Sequence, residues 1–255
     1  MRCFLMIGQR LSSFCRVLAY AALASSIAVA QPSDAATIQR HGDTATLSVK
    51  THRPVDAITK LLESKFGIAV GAEDPSLLFA GDWMDISREE PTVRTGTLVP
   101  ARWGFDVRFP VRPDGSPRDV LGLLHSIAAA ANARSPFAYR LDEAEAGGAF
   151  SFVPTRTRNP GGRSIAALPL LDRRVSIPSA IRPLAASASL MAEELSRQTG
   201  LRVSCCQSFV AGVPWGLPEV SFSAQDEPAR SVLLRLGLTH WHVRCDRTFC
   251  VIDIR

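Results

Sequence analysis

The chain has 255 residues, of which 46% are hydrophobic and 21% are charged, with 17 Gly and 17 Pro. This composition is typical of globular proteins and excludes a wholly disordered chain or a collagen-like fibre. No run of about 18 apolar residues is present, so a membrane-spanning helix is not expected. The length suits one large domain or two small ones.

The N-terminal residues 1–30 have the features of a secretory signal peptide. Arg2 and Arg10 give a positive start, residues 17–30 form a short Ala-rich apolar stretch, and Ala28-Val29-Ala30 supplies small residues for cleavage. We therefore expect an exported protein, in the periplasm as first choice and secreted as second. The alternative is an uncleaved N-terminal anchor, for which the apolar stretch is short.

The charge pattern argues against nucleic acid as a partner. The chain has a net charge of +5, but residues 1–30 contribute three Arg and no acid, so the remainder carries only +2. The other Arg residues are spread along the chain instead of forming a basic block that follows phosphates.

A degenerate duplication follows the predicted signal peptide. Residues 55–68 align with residues 188–201, and in both an amphipathic helix precedes a short strand-like run. Gly67 and Gly200 occupy the same place in the two segments, where each predicts the end of the helix.

The second halves of the copies also align. Each has a Trp-Gly pair, an alternating Val-x-Phe strand, an apolar helix with Pro near its start and a closing hairpin. These elements cover residues 103–153 in the first copy and 215–254 in the second. Trp103 and Trp215 are equivalent, and they are either core residues at the strand entry or a pair of partner-binding anchors.

The duplication predicts a domain organisation. The first module covers residues 45–154, with a polar insert near 84–102 that we expect to be a surface loop or small flap; a turn-rich linker covers 155–173, and the second module covers 174–255. The predicted fold class is α+β, with two small β-α-β-β-α-β-β modules, each a mixed sheet packed by two helices.

Four cysteines remain beyond the signal peptide: Cys205, Cys206, Cys245 and Cys250. An even number in an exported chain predicts disulfides. Cys245 and Cys250 flank a short hairpin loop and could face each other, whereas a bridge between the adjacent Cys205 and Cys206 would be strained. Bridges from Cys205 or Cys206 to the terminal hairpin are favoured, and four buried reduced thiols are the alternative.

The element order resembles the short N-terminal (STN) domain of secretins and TonB-dependent receptors, a small periplasmic signalling module. The second copy carries the clearest motifs, in the helix that ends at Gly200, the Val220-Ser-Phe222 strand, the apolar helix over 228–236 and the final Val251-Ile-Asp-Ile254. The first copy matches with an insert. The secretin or receptor barrel that usually accompanies such modules is not recognised here, so the resemblance implies an accessory or adaptor protein.

In the family that the chain resembles, the module works by protein contact. The expected partner is therefore an envelope protein such as a secretin, a pilus component or an outer-membrane receptor. The physical route is strand addition at an open sheet edge or packing of a helix face. We expect the closing hairpins to supply the open edges; the alternative is that the sister copy or the linker covers them.

The second copy also contains histidines and cysteines of the types that serve in metal and thiol sites. His240 and His242 alternate on a predicted strand near Cys245 and Cys250, but they lack metal-ligand spacing, so neither a metal site nor a cofactor is expected. The chain also lacks a G-x-S-x-G elbow. We predict that the protein is not an enzyme. The alternative is a thiol- or metal-dependent enzyme that uses Cys205, Cys206, His240 and His242.

Overall fold

The computed structural model describes residues 36–90, 92–143, 150–205, 219–238 and 240–254. The predicted signal peptide, Cys206 and Trp215 lie outside the described residues. Below, the first copy and the second copy denote the two aligned halves of the chain.

The first copy follows the predicted order of two helices and five strands and adds three strands that were not predicted, at residues 37–41, 83–85 and 98–100. Its elements are β1 (Thr37–His41), β2 (Thr44–Thr51), α1 (Pro54–Phe66), β3 (Val70–Glu73), β4 (Trp83–Asp85), β5 (Leu98–Pro100), β6 (Trp103–Pro110), α2 (Val120–Arg134), β7 (Ala138–Glu143) and β8 (Phe150–Arg158). The short strands β4 and β5 pair with each other, so the insert includes a small two-stranded ribbon.

The second copy repeats this order. The connecting segment includes β9 (Ser164–Ala166), and the copy itself comprises β10 (Arg174–Pro183), α3 (Leu184–Thr199), β11 (Arg202–Cys205), β12 (Glu219–Pro228), α4 (Ala229–Arg235), β13 (Trp241–Cys245) and β14 (Phe249–Ile254). The predicted linker is thus partly ordered structure, because β8 continues into it and β9 folds back on β8.

The first helix of each copy ends at the glycine that the sequence predicts. In α1 the N–H of Gly67 donates to the carbonyl of Glu63 (2.9 Å) at a φ of 65°, and Gly200 ends α3 at a φ of 71°. Glycine adopts this left-handed conformation without the penalty that a side chain imposes. The turn leads each helix directly into a short strand, β3 or β11.

The two copies have the same strand topology. In the first copy β8 is parallel to β3 and antiparallel to β7, and in the second β14 is parallel to β11 and antiparallel to β13. The remaining strands form separate antiparallel sheets, β1-β2-β6 and β10-β12. The α+β class is confirmed.

The arrangement of layers differs from the single mixed sheet that was expected for each copy. The strands of each copy divide between two sheets, and α1, α2 and α3 each contact both of them. Strands β2 and β6 alternate buried and exposed residues, which shows that their sheet buries one face. A helix between two sheets buries more of its surface than a helix on one sheet, and this favours the split.

The hydrophobic residues form two separate clusters, one in each copy. The first includes Leu47, Leu124 and Phe152, and the second includes Leu195 and Ile252. The copies nevertheless share one seven-stranded sheet, in which six strands have the order β11-β14-β13-β3-β8-β7 and β9 pairs with β8, because β13 pairs with β3 in parallel. Contacts therefore group residues 34–255 into one unit. None of the described helices has the length and apolarity that a membrane span requires.

Candidate functional site

The junction between the copies is set by the register of β13 on β3. His242 lies opposite Ala72, and Val243 lies opposite Glu73. Paired residues in neighbouring strands point to the same face of a sheet. Ala72 belongs to the cluster of the first copy and Val243 to that of the second. Each copy therefore sends one polar side chain into the other: His242 enters the first copy, and Glu73 enters the second.

His242 is held by the first helix of the first copy. Its side chain is only 2% exposed, and its Nδ1 lies 2.7 Å from Oδ1 of Asp56. The second carboxylate oxygen of Asp56 accepts a hydrogen bond from Nζ of Lys60 (2.6 Å). Burial alone would raise the pKa of Asp56, but the His242 hydrogen bond and Lys60 hold it well below its usual range. The ionised carboxylate can only accept, so Nδ1 of His242 donates.

Glu73 makes the reciprocal contact with the second copy. Its Oε2 accepts a hydrogen bond from the Arg230 guanidinium (2.9 Å), and its Oε1 accepts one from the N–H of Leu171 (3.2 Å). Arg230 also reaches Asp172 (3.1 Å), which pairs with Arg140 of the first copy (3.0 Å). Burial raises the pKa of Glu73, and Arg230 only partly opposes this.

A third polar contact attaches the terminal hairpin to the first copy. Oδ2 of Asp74 accepts hydrogen bonds from Nε of Arg53 (2.7 Å) and from the N–H of Cys245 (3.1 Å). Arg53 in turn donates to the carbonyl of Cys245 (3.0 Å). The first copy thus binds both the N–H and the carbonyl of Cys245. Polar contacts therefore stabilise the junction on both faces of the sheet and at one end of β13.

The junction removes one of the open edges that the sequence predicted. Strand β13 of the second closing hairpin has β14 on one side and β3 on the other, so the sister copy covers it. The expectation of an open edge there is wrong, and the alternative of coverage by the sister copy is correct.

The two outer strands of the seven-stranded sheet are capped by helix side chains. On β7, the amide of Asn132 accepts from the N–H of Tyr139 (2.7 Å) and donates to its carbonyl (2.9 Å). On β11, the hydroxyl of Ser196 accepts from the N–H of Val203 (2.9 Å) and lies 3.4 Å from its carbonyl. When side chains satisfy the backbone N–H and C=O groups of an edge strand in this way, another strand cannot pair with those groups. The first closing hairpin is thus also capped at Tyr139.

An open edge lies instead in the two-stranded sheet. Strand β2 of the first copy has β1 on one side and β6 on the other, whereas its counterpart β10 pairs with β12 alone within the described part of the chain. Ile181 on β10 is 72% exposed. An unpaired strand with an exposed apolar residue is a site for strand addition.

The cysteines pair differently from the favoured prediction. Cys245 is bonded to Cys250 (S–S 2.10 Å), directly across the terminal hairpin. The neighbouring pair of residues is hydrogen-bonded, because the N–H of Asp246 donates to the carbonyl of Phe249 (2.8 Å). Hydrogen-bonded and non-hydrogen-bonded pairs alternate along an antiparallel ladder, so Cys245 and Cys250 form a non-hydrogen-bonded pair. In this kind of pair the Cα atoms lie closer together, here 4.1 Å apart. A bridge from Cys205 to either of them is therefore wrong.

Two residues of the enzyme alternative, Cys205 and His242, lie on opposite faces of the sheet, and Cys206 lies outside the described residues. Cys205 lies opposite Ile252, which faces the cluster of the second copy, whereas His242 lies opposite Asp253 on the other face. His240 precedes β13. Within the described ranges, no three His, Cys, Asp or Glu side chains are grouped as metal ligands.

Trp103 lies at the start of β6, where it pairs with Thr51 and its ring lies 5.6 Å from that of Phe105. It is half-buried and packs against the cluster of the first copy. This placement agrees with a residue at the strand entry, and its role as a partner anchor stays a prediction.

The sequence interpretation missed the polar residues of the junction. A signal for two of them was present. Asp56 falls among Val55, Ile58 and Leu62 on the buried face of α1, and Glu73 ends a short run of small buried residues. An acid at a core position usually has a buried partner.

No protein-family model matches the chain, and no curated protein matches it either.

Proposed function

We propose that this protein is an exported, periplasmic adaptor with tandem STN-like modules, accessory to an outer-membrane secretion, pilus or receptor assembly. The signal-like features of residues 1–30 support export. A disulfide between Cys245 and Cys250 suits an oxidising compartment. The resemblance of both copies to STN domains supports a role in protein contact, for which no cofactor is needed.

The observation that carries this proposal is the unequal pairing of the two counterpart strands. β2 is covered by β1, whereas β10 presents its outer edge without a strand partner among the described residues. The outer strands of the large sheet are capped at Tyr139 and Val203 by Asn132 and Ser196, whereas the place beside β10 that corresponds to β1 holds no strand among the described residues, which supports β10 as the edge for an incoming strand. We expect a segment of the envelope partner to occupy the place that β1 takes in the first copy.

The proposal is tested by site-specific photo-cross-linking in intact cells. A photoreactive amino acid replaces Ile181 on β10 or, as a matched control, Leu121, which is 43% exposed on α2. We expect an adduct with one defined envelope protein from position 181 and none from position 121. Fractionation of the same cells should place the adduct in the envelope.

A binding measurement with the purified partner completes the test. Ile181→Lys adds a charge beside the edge without removing a buried group, so it should weaken binding at least about tenfold while the melting temperature stays unchanged. Leu121→Lys should bind as the wild type does. Equal affinities for the two variants, or equal cross-linking from both positions, would overturn the edge of β10 as the docking site.

A further inference from the structure

A groove of about 680 Å³ lies where residues 74–83, which lead into the insert, meet the connecting segment and the terminal hairpin. We call it the insert groove. Its volume lies within the range of small-ligand and short-peptide sites. The walls are formed by Leu77, Leu78, Trp83, Ile165, Leu168, Leu170 and Leu201, with the Cys245–Cys250 disulfide and Arg247 at the hairpin side.

Exposed apolar surface is concentrated at this groove. Only five large hydrophobic side chains in the described part of the chain are exposed, and three of them line it: Leu78 (53%), Ile165 (40%) and Leu168 (56%). The other two, Leu121 and Ile181, lie outside the lining. A contiguous exposed apolar patch on a folded protein marks an interaction site more often than scattered residues do.

The wall formed by residues 74–83 is held in place by contacts within the protein before any ligand binds. Asp82 is buried and pairs with Arg158 of β8, whose guanidinium lies over the ring of Phe79 at 4.7 Å. The indole N–H of Trp83 donates to the carbonyl of Leu77 (3.1 Å). A preorganised wall reduces the entropy lost on binding.

The charges at the groove favour an anionic ligand. Arg247 lies over the ring of Trp83 (5.5 Å), and neither Arg247 nor Arg173 pairs with a carboxylate among the described residues. The two lining acids are already engaged: Asp74 pairs with Arg53, and one carboxylate oxygen of Asp246 accepts backbone N–H groups of its own turn. The lining thus holds the guanidiniums of Arg173 and Arg247 against one carboxylate, that of Asp246, which pairs with no cation among the described residues, and this excess of positive charge favours an acidic ligand.

We propose that the insert groove binds an extended peptide segment of a partner protein, one that combines apolar side chains with an acidic residue. The apolar side chains contact Leu78, Ile165 and Leu168, and the carboxylate binds Arg173 or Arg247. Strand β9 at the groove pairs only with β8 within the described residues, so it offers unpaired backbone groups to a peptide.

A peptide suits this groove better than a free fatty acid does. The rim residues are about half exposed, so an acyl chain bound there would keep much of its surface in water. A segment attached to a folded partner is covered on its outer side by the rest of that partner. The site is separate from the edge of β10, so the protein would hold two partners or two parts of one.

The test selects random twelve-residue peptides, displayed on phage, against purified chain from residue 31 onward. We expect enriched peptides to contain an acidic residue together with at least two large apolar residues. Synthetic versions should bind at least one of Arg173→Gln and Arg247→Gln about tenfold more weakly than the wild type, since that variant loses the charge-assisted contact. Leu168→Glu should lose binding, whereas the control Leu121→Glu should retain it.

The same peptides should bind Ile181→Lys as tightly as the wild type. That result separates the groove from the docking edge of β10, because either can fail without the other. Melting temperatures of all variants establish that the fold is kept. Selection of basic or neutral peptides, wild-type affinity in both Arg variants, or full displacement by laurate at micromolar concentration would overturn the proposal.

Discussion

Replacing Asp56 by Asn tests whether the junction is held by an ionised carboxylate. The side chain keeps its shape but loses its charge, and Nδ1 of His242 then donates to an amide oxygen instead of a carboxylate. A hydrogen bond to a charged group contributes about 1.5–3 kcal/mol to stability. Because His242 is buried and the Asn still accepts, we expect a loss of about 2–3 kcal/mol of unfolding free energy.

The measurement is urea unfolding at pH 7, supported by thermal melting, where the loss corresponds to about 4–12 °C for a chain of this size. Lys60→Met is the matched control. It removes the other partner of Asp56, but that partner is partly exposed, so the cost should stay below about 1 kcal/mol. A double-mutant cycle of Asp56→Asn with His242→Gln should give a coupling above about 1 kcal/mol.

The pH dependence of stability tests the role of Asp56 independently, because the direction of its pKa shift sets the pH range in which its contribution is lost. The pKa of Asp56 is lower in the folded state than in the unfolded state. Its contribution to stability is therefore complete above the unfolded pKa of about 4 and is lost as pH falls through the folded value. The difference in stability between the wild type and Asp56→Asn should thus be full at pH 5–7 and shrink below about pH 4. A coupling near zero, or a difference that does not shrink in acid, refutes this account of the junction.

Three further outcomes are expected. Glu73→Gln should cost about 1–3 kcal/mol in urea unfolding, because Gln keeps one acceptor for the N–H of Leu171 but turns its amide NH2 towards Arg230, which retains only Asp172; an unchanged stability would contradict this. Cys250→Ser should cost about 2 kcal/mol, the entropy of a closed loop with a sequence separation of 5, and reductant should give the same loss in the wild type. Asn132→Ala together with Ser196→Ala should produce concentration-dependent oligomers in analytical ultracentrifugation, because both sheet edges are then uncapped; a strictly monomeric variant would show that the caps do not matter.

Local features of the sequence predict most of the elements. The amphipathic spacing and the glycines place α1 and α3, and the alternating Val-x-Phe runs place β6 and β12. The closing hairpins are found at both expected positions. These elements are governed by neighbours in the chain, and the periodicity of apolar residues records them directly.

The junction could not be derived in the same way. The strands that join the copies are separated by about 170 residues, and no local pattern specifies that β13 lies beside β3. Their register alone sends His242 into the first copy and Glu73 into the second. The polarity of Asp56 and Glu73 at core positions is a sign of buried partners, but it does not identify them.

The favoured disulfide pairing is wrong for a related physical reason. The strain of a vicinal bridge favours bridges from Cys205 or Cys206 to the hairpin, yet the hairpin register itself places Cys245 opposite Cys250. The strand positions were predicted, whereas the exact facing of residues across the turn depends on the turn at Asp246. Its carboxylate accepts the N–H groups of Thr248 and Phe249 and fixes that turn.

The differences between the copies have a common physical reason. β13 is the counterpart of β7 and β3 is the counterpart of β11, so the junction joins two different surfaces head to tail, and each of these surfaces has its counterpart in the other copy. Such a contact does not close on itself, and repeating it between molecules would build an open filament through β7 and β11. Those two strands are the ones that Asn132 and Ser196 cap. Each cap lacks a counterpart in the sister copy. The residue that aligns with Ser196 is Glu63, and helix α4 ends at Arg235, before the position that would correspond to Asn132 in α2. Each copy therefore keeps the surface that joins it to its sister and blocks the one that would join it to another molecule, which leaves β10 and the insert groove to meet a different protein.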